Sequence, residues 1–303
     1  MSQFEEYASR YGGGFIMERA SGILLIRQHT DGEEALYSPG EHSTWGWAHL
    51  FQDIGNDPEN EVIIITATGH NWMRAGKSPH FGIGDAPEDK KRTPDPSRLR
   101  SPDVIYSLYE SHIRMMENLI NIPVPTIAAV NGPAATHSEH ALACDITLCT
   151  EDTLFRDPHV ILGIPPGDGL GMALQELIGT KRAAYYLYTG DAISSSDALA
   201  WGMVNEVLPT ERLLPRAMEI AERIIETPRL SRRMTTQIVR RPWKQRFLQD
   251  GAFHNAHEQI GAALDGGAAN AATPTRTALM AERWQVALSG ESVNGFRDGG
   301  SAS

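Results

Sequence analysis

The chain is poor in cysteine, carries less basic than acidic charge and has no long apolar run. Its two cysteines among 303 residues, Cys144 and Cys149, fit neither a disulfide framework nor a metal-binding spacing, which favours a reducing cytosol. With 27 basic and 38 acidic residues the formal net charge is -11, which argues against nucleic-acid and anionic-membrane partners. Because the chain also lacks a bilayer-spanning run and a signal pattern, we expect a cytoplasmic protein.

Strand and helix patterns alternate along the first half of the chain. Four apolar runs are predicted as strands, at 22–27, 61–69, 125–132 and 145–150. Helices are predicted at 44–54, 104–121, 137–144, 170–177, 181–188, 194–201, 213–226, 231–240 and 247–264. This alternation predicts an α/β fold with parallel strands. A surface loop or lid is predicted at 80–102, and a partly disordered extension with one helix near 276–288 follows the last long helix.

The most informative stretch of the sequence lies between residues 131 and 169, where three histidines occur among glutamates and aspartates. His137 follows a turn of small residues, and His159 lies nine residues before Asp168. A histidine with a carboxylate partner handles protons, and small residues let a backbone N–H approach a substrate oxygen. Neither an H-E-x-x-H motif nor paired cysteines are present, so we expect no metal.

Several motifs resemble the crotonase (enoyl-CoA hydratase/isomerase) superfamily over residues 15–264. They are VIIITATG, IPVPTIAAVNGPA, ACDITLCTEDTLF, GIPPGDGLG and YLYTGDAISSSDALAWGMVNEVLP. The resemblance implies a crotonase-like ββα spiral over residues 1–200, a C-terminal helical trimerisation region over 201–265 and the extension over 266–303. It also implies a homotrimer or a dimer of trimers.

The acid/base residues of hydratases are absent from their expected places. Where hydratases have three glycines followed by a catalytic glutamate, this chain has Thr-His-Ser-Glu-His at 136–140, and Glu139 and His140 share one helical turn there. His159 takes the place of a second catalytic glutamate. The oxyanion loop at 72–77 lacks its usual aspartate.

These departures resemble the 6-oxocamphor hydrolase type of β-diketone hydrolase, which cleaves a C–C bond between two carbonyls by a retro-Claisen reaction without CoA. The shared motifs lie at 4–7, 29–30, 131–137, 155–159, 166–169 and 256–258, and the matches near the start place His42 on a site histidine. The resemblance implies five catalytic residues and three substrate-binding residues: His159, Asp168, His137, Glu258 and His42, and Tyr37, Arg74 and Trp72. The resemblance also implies that the reaction needs no cofactor.

The implied mechanism gives each residue a role on a small-molecule diketone. His159, oriented by Asp168, activates water, and His137 and the Tyr37 hydroxyl bind a carbonyl. Backbone N–H groups near Arg74 and His137 supply further oxyanion donors. The glutamate of the 256–258 motif orients a site histidine or carries a proton. Asp168 has a second interpretation as the cap of the following helix, and both roles are compatible.

Two other functions stay open. A CoA-dependent crotonase with altered acid/base residues, such as a hydratase/isomerase or an acyl-CoA hydrolase, would need Lys77, Lys90, Lys91 and Arg92 for the CoA phosphates. The altered oxyanion loop argues against it. A non-catalytic interaction protein on the same scaffold is disfavoured by the histidines and carboxylates gathered at the site positions.

Overall fold

The computed structural model describes residues 2–37, 42–74 and 101–264. The surface loop or lid predicted at 80–102 lies outside these residues, except for residues 101 and 102. Also outside the described residues lie the extension at 266–303, the helix predicted near 276–288, and Lys77, Lys90, Lys91 and Arg92. In the described part, no helix is both long and apolar enough to cross a membrane. In chain order the elements are α1 (Gln3–Arg10), β1 (Phe15–Ala20), β2 (Ile23–Gln28), α2 (Thr44–Asn56), β3 (Val62–Ala67), α3 (Pro102–Asn121), β4 (Thr126–Val130), α4 (Glu139–Leu142), β5 (Ile146–Thr150), β6 (Leu154–Phe155), α5 (His159–Leu162), α6 (Leu170–Ile178), α7 (Thr180–Thr189), β7 (Ile193–Ser194), α8 (Ser195–Ala200), β8 (Glu206–Leu208), α9 (Thr210–Ile225), α10 (Arg229–Val239) and α11 (Arg241–Leu264).

A six-stranded sheet forms the centre of the described chain, in the order β1-β2-β3-β4-β5-β8. The pairs from β2 to β8 are parallel, which confirms the predicted parallel α/β arrangement, and β1 pairs with β2 antiparallel. Strands β1 and β8 and the two-stranded β6-β7 pair were not predicted from the sequence. These strands are short or partly exposed, so they lack the continuous apolar signal of a central strand.

Both faces of the central strands are covered, which explains why every residue of β3 and β4 is buried. Successive side chains of a strand point to opposite faces. Ile63 and Ile65 accordingly belong to the larger apolar cluster, which includes residues of α2 and α3. Val62 and Ile64 belong to a second cluster that includes α9. The unbroken apolar run that predicted β3 therefore reflects burial on two sides.

The segments that leave the carboxyl ends of the parallel strands continue side by side. Parallel bridges join Leu36 to Arg74, Met73 to Ala134, and Ala134 to Phe155. Ligand sites in parallel sheets form at this end, where successive loops meet. These bridges bring the Tyr37, His137 and His159 segments together.

The C-terminal helices complete this end of the sheet. Helix α11 packs against α3 and α6. The Asn255 side chain on α11 donates a hydrogen bond to the Tyr109 carbonyl on α3, at 2.7 Å. The predicted C-terminal helical region is confirmed, and α11 carries Glu258 to the carboxyl ends of the strands.

Candidate active site

The turn that carries His137 is anchored against the chain after β3. The Asn131 amide donates to the Gly69 carbonyl at 2.7 Å. The Trp72 indole N–H donates to the His137 carbonyl at 3.1 Å. His137 adopts a left-handed backbone conformation, with φ of 50°. The helix predicted over 137–144 is therefore shorter, because α4 begins only at Glu139.

His137 pairs with the carboxylate of Glu139. The distance from His137 Nδ1 to Glu139 Oε1 is 2.5 Å, and both side chains are buried. Burial would lower the pKa of His137, but Glu139 and Asp168 together raise it above its usual value. Burial, followed by the charge of Asp168, raises the pKa of Glu139 to about 7. The pair therefore holds a proton close to neutral pH.

His159 is held by a hydrogen bond to Asp157, a second carboxylate partner in addition to the predicted Asp168. The backbone N–H and the Nδ1 atom of His159 both lie 2.8 Å from Asp157 Oδ1. Because an ionised carboxylate only accepts hydrogen bonds, Nδ1 carries the proton and Nε2 is the reactive nitrogen. This role of Asp157 was not predicted from the sequence, although Asp157 lies in the same motif, two residues before His159.

Asp168 faces both histidines. Its Oδ2 atom lies 3.6 Å from His159 Nε2 and 3.8 Å from His137 Nδ1. Its other oxygen, Oδ1, accepts the Leu170 N–H at 3.3 Å, at the start of α6. Asp168 therefore accepts a hydrogen bond from the first turn of α6 with one oxygen and faces the two histidines with the other. The structure is thus compatible with both predicted roles of Asp168, as a helix cap and as a site carboxylate. Burial would raise the pKa of Asp168, but His159 and His137 lower it below its usual value, so the carboxylate stays ionised.

Glu258 closes the site from α11. Its Oε2 atom lies 3.9 Å from His159 Nε2, and Oε1 lies 3.6 Å from His112 Nε2 on α3. Burial is the largest cause of the raised pKa of Glu258. His112 was not among the site residues predicted from the sequence. A signal existed, because a histidine shares the buried face of α3 with Met115 and Met116.

The structure places Tyr37 in the site and His42 beside it. The rings of Tyr37 and His137 lie 4.9 Å apart. Burial, then the charges of Glu258, Asp168 and Glu139, raise the pKa of Tyr37, so its hydroxyl stays protonated and able to donate. His42 Nε2 instead donates to the His29 carbonyl at 2.7 Å. The His42 ring packs against Phe15 and Trp47, within the wall of aromatic rings behind the site.

The two remaining predicted substrate-binding residues have other contacts. Trp72 is fully buried and holds the His137 turn through its indole N–H. The Arg74 side chain pairs with Glu34 at 3.0 Å and is half exposed. The Arg74 backbone N–H donates to the Ala35 carbonyl at 2.9 Å, so it is not itself available as an oxyanion donor. This N–H belongs to the parallel bridge that joins Leu36 to Arg74. That backbone N–H groups near Arg74 take the role of oxyanion donor stays a prediction.

Two buried groups of side chains have the donor types of a metal site. One consists of His137, Glu139 and His140, and the other of His159, Asp168 and Glu258. Within each group the donor atoms lie within 4.8 Å of one another. Imidazole and carboxylate groups of this kind can also exchange protons with a bound molecule. The expectation that the protein binds no metal stays a prediction.

Solved structures share this architecture. A β-diketone hydrolase (ABDH) from the cyanobacterium Anabaena sp. PCC 7120, bound to (S)-3-oxocyclohexyl acetic acid, superposes with a TM-score of 0.76 at 32% identity, over 85% of this chain and 97% of that one. An enoyl-CoA hydratase/isomerase from Mycobacterium paratuberculosis superposes with a TM-score of 0.72 at 20% identity, over 89% and 98% of the two chains. The spiral and the C-terminal helices are those of the crotonase fold.

Sequence comparisons give the family. The chain belongs to the enoyl-CoA hydratase/isomerase family, whose pattern matches residues 47–259. A crotonyl-CoA hydratase from Syntrophomonas wolfei is 32% identical over 183 residues, which are 60% of this chain and 65% of that protein. A carnitinyl-CoA dehydratase from Salmonella enteritidis is 28% identical over 190 residues, 62% of this chain and 67% of that protein. The chain therefore spans about two thirds of these relatives, and it is a crotonase-superfamily enzyme.

Proposed function

We propose that this chain hydrolyses a C–C bond of a β-diketone, without CoA, to give a keto acid. The observation that carries this proposal is the buried pair of His159 and Asp157, whose reactive nitrogen faces Asp168 and Glu258. Hydratases of this family have glutamates where this chain has imidazoles. Burial lowers the pKa of His159, but Asp168 and Asp157 raise it well above its usual value. His159 Nε2 therefore deprotonates water only in the molecules in which it has lost its own proton, and we expect kcat to increase as the pH rises.

The reaction is an attack of water on one carbonyl of the diketone. His159 Nε2 takes a proton from water, and the hydroxide adds to the carbonyl carbon. The Tyr37 hydroxyl and His137 stabilise the resulting oxyanion by hydrogen bonds. The C–C bond then breaks, the carboxylic acid forms, and the bonding electron pair stays on the other carbon as an enolate. Protonation of the enolate gives the keto acid.

The comparison with the Anabaena protein supports this substrate class. That protein is a β-diketone hydrolase, and (S)-3-oxocyclohexyl acetic acid, which it binds, is itself a keto acid. The similarity covers 97% of that chain. A cyclic diketone is therefore the first substrate class to test.

The test is the loss of ultraviolet absorbance of cyclic 1,3-diketones on adding enzyme, with mass spectrometry of the product. We expect His159→Ala to lower kcat on the order of 100- to 10,000-fold, the usual contribution of a general base. His257→Ala is the matched control, because His257 is exposed on the same helix as Glu258. Full activity of His159→Ala would overturn the assignment of the base.

A CoA-dependent reaction is the second candidate, because the crotonyl-CoA hydratase and the carnitinyl-CoA dehydratase both match this chain. Calorimetric titration with CoA and crotonyl-CoA separates the two. A diketone hydrolase should bind neither, whereas micromolar binding together with turnover of acyl-CoA would favour the alternative.

A further inference from the structure

Glu139 is a buried carboxylate that the proposed reaction does not yet use. It is fully buried, and its Oε1 atom lies 2.5 Å from His137 Nδ1. The same oxygen lies 3.4 Å from His140 Nε2. A single carboxylate oxygen therefore lies between two histidines of one short segment.

The two histidines differ in the partners that surround them. The His140 ring is fully buried and its Nε2 lies 3.0 Å from the Met115 sulfur. Burial lowers the pKa of His140 far below its usual value, so this ring stays neutral. It stacks on the His137 ring with centroids 5.0 Å apart and planes 5° apart. The ionised Glu139 therefore forms its ion pair with His137 and not with His140.

The other groups that face His137 come from three further segments. Asp168 Oδ2 approaches its Nδ1 to 3.8 Å, and the Tyr37 ring packs against it. His159 Nε2 approaches the same Asp168 oxygen to 3.6 Å. Since Glu139 and Asp168 both approach Nδ1, the opposite nitrogen, Nε2, is the one left for a substrate oxygen or carbon.

We propose that Glu139 is the positioning residue of His137, and that the two form an acid pair distinct from the Asp157–His159 base pair. This inference rests on the proposed function. When the C–C bond breaks, His137 Nε2–H gives its proton to the enolate carbon. The proton that His159 took from water restores His137, and the new carboxylic acid releases one proton to solvent. One water is consumed and no oxidant or reductant is needed.

The test replaces the charge of Glu139 and keeps its shape. Glu139→Gln retains the volume and one carbonyl oxygen but removes the negative charge. We expect kcat for diketone cleavage to fall on the order of 100-fold, as for other positioned acid/base groups, while KM changes less than about threefold. The pH at which kcat declines on the alkaline side should move to lower pH, because His137 loses its proton more easily.

A second measurement does not depend on turnover. The ring signals of His137 in histidine-labelled full-length protein, assigned by comparison with His137→Gln, report its titration by NMR. In Glu139→Gln we expect His137 to titrate at lower pH than in the wild type. An unchanged His137 titration in folded Glu139→Gln protein overturns the proposal, whatever the activity.

Asp57→Asn is the matched control for the loss of a buried carboxylate. Asp57 accepts hydrogen bonds from Tyr7 at 3.0 Å and Arg19 at 2.6 Å and is equally enclosed. The Asp57→Asn variant should lower the stability of the fold and leave both the His137 titration and the pH profile of kcat unchanged. If wild type cleaves no diketone but His137 shifts in Glu139→Gln, the proposed function fails and the positioning role stands.

Discussion

At the residue scale, His159 shows how two carboxylates set the charge of a buried ring. Burial favours the neutral imidazole, but Asp168 and Asp157 outweigh it and raise the pKa of His159 well above its usual range. A group with a raised folded-state pKa stabilises the fold fully below the unfolded value of about 6.5. That stabilisation is lost as pH rises through the folded-state pKa.

We predict that the stability cost of Asp157→Asn depends on pH. The substitution removes one of the carboxylates that favour the His159 cation, so the folded-state pKa falls towards that of the unfolded chain. The lost hydrogen bond to a charged group costs about 2 kcal/mol, which should appear in full near pH 6 and shrink by pH 9. Urea unfolding at the two pH values measures it. Asp191→Asn, which removes an exposed carboxylate bonded to Tyr185, should cost little at either pH. An Asp157→Asn cost that is equal at pH 6 and pH 9 would contradict the ion pair.

At the element scale, the site depends on a close approach between the loop at 163–169 and helix α11. A Cβ atom added at Gly167 would lie 2.5 Å from Glu258 Cβ and 2.5 Å from the His254 carbonyl oxygen. A Cβ at Gly261 would collide with the Pro165 ring. The two glycines therefore let the loop with Asp168 lie directly on the helix that carries Glu258.

We predict that Gly167→Ala separates the loop from α11. The added methyl group should destabilise the fold by about 1–3 kcal/mol, as overpacking does, and should lower kcat by displacing Glu258 and Asp168. Thermal unfolding and diketone turnover measure the two effects. Gly55→Ala in α2 is the control, because its Cβ would make only ordinary contacts, of 3.6 Å or more, with Ile122 and Pro123. It should stabilise by about 0.5–1 kcal/mol. Normal turnover of Gly167→Ala would show that the site tolerates a wider gap.

At the scale of the whole molecule, one face of α10 is apolar and exposed in the single chain. Leu230, Met234 and Ile238 are spaced four residues apart and are 66%, 57% and 71% exposed. A stripe of large apolar side chains at helical spacing is typical of a surface that another chain covers. The trimer that the sequence resemblance implies would cover it.

We predict that the protein is a homotrimer or a dimer of trimers, assembled through this stripe. The double variant Met234→Glu, Ile238→Glu should form smaller oligomers than the wild type, because the two substitutions would bury two charges per chain in the interface. Light scattering after size exclusion measures the mass. Gln237→Glu is the control, since this side chain is exposed and accepts a hydrogen bond from Lys244. A wild-type protein that runs as a monomer would contradict the prediction.

The sequence by itself determined the central parallel strands, the long helices and the segments that carry the site. A continuous apolar run such as that of β3, or a helical periodicity such as that of α3, shows from the local sequence which residues are buried. The motifs around His137, His159 and Asp168 identify the segments that form the site. Only the tertiary structure decided which carboxylate serves which histidine. Asp157, Glu139 and His112 take their roles from distances of a few ångströms across turns and between helices. Local sequence patterns record which side of an element is buried, whereas hydrogen bonds and pKa values depend on neighbours that the fold brings together.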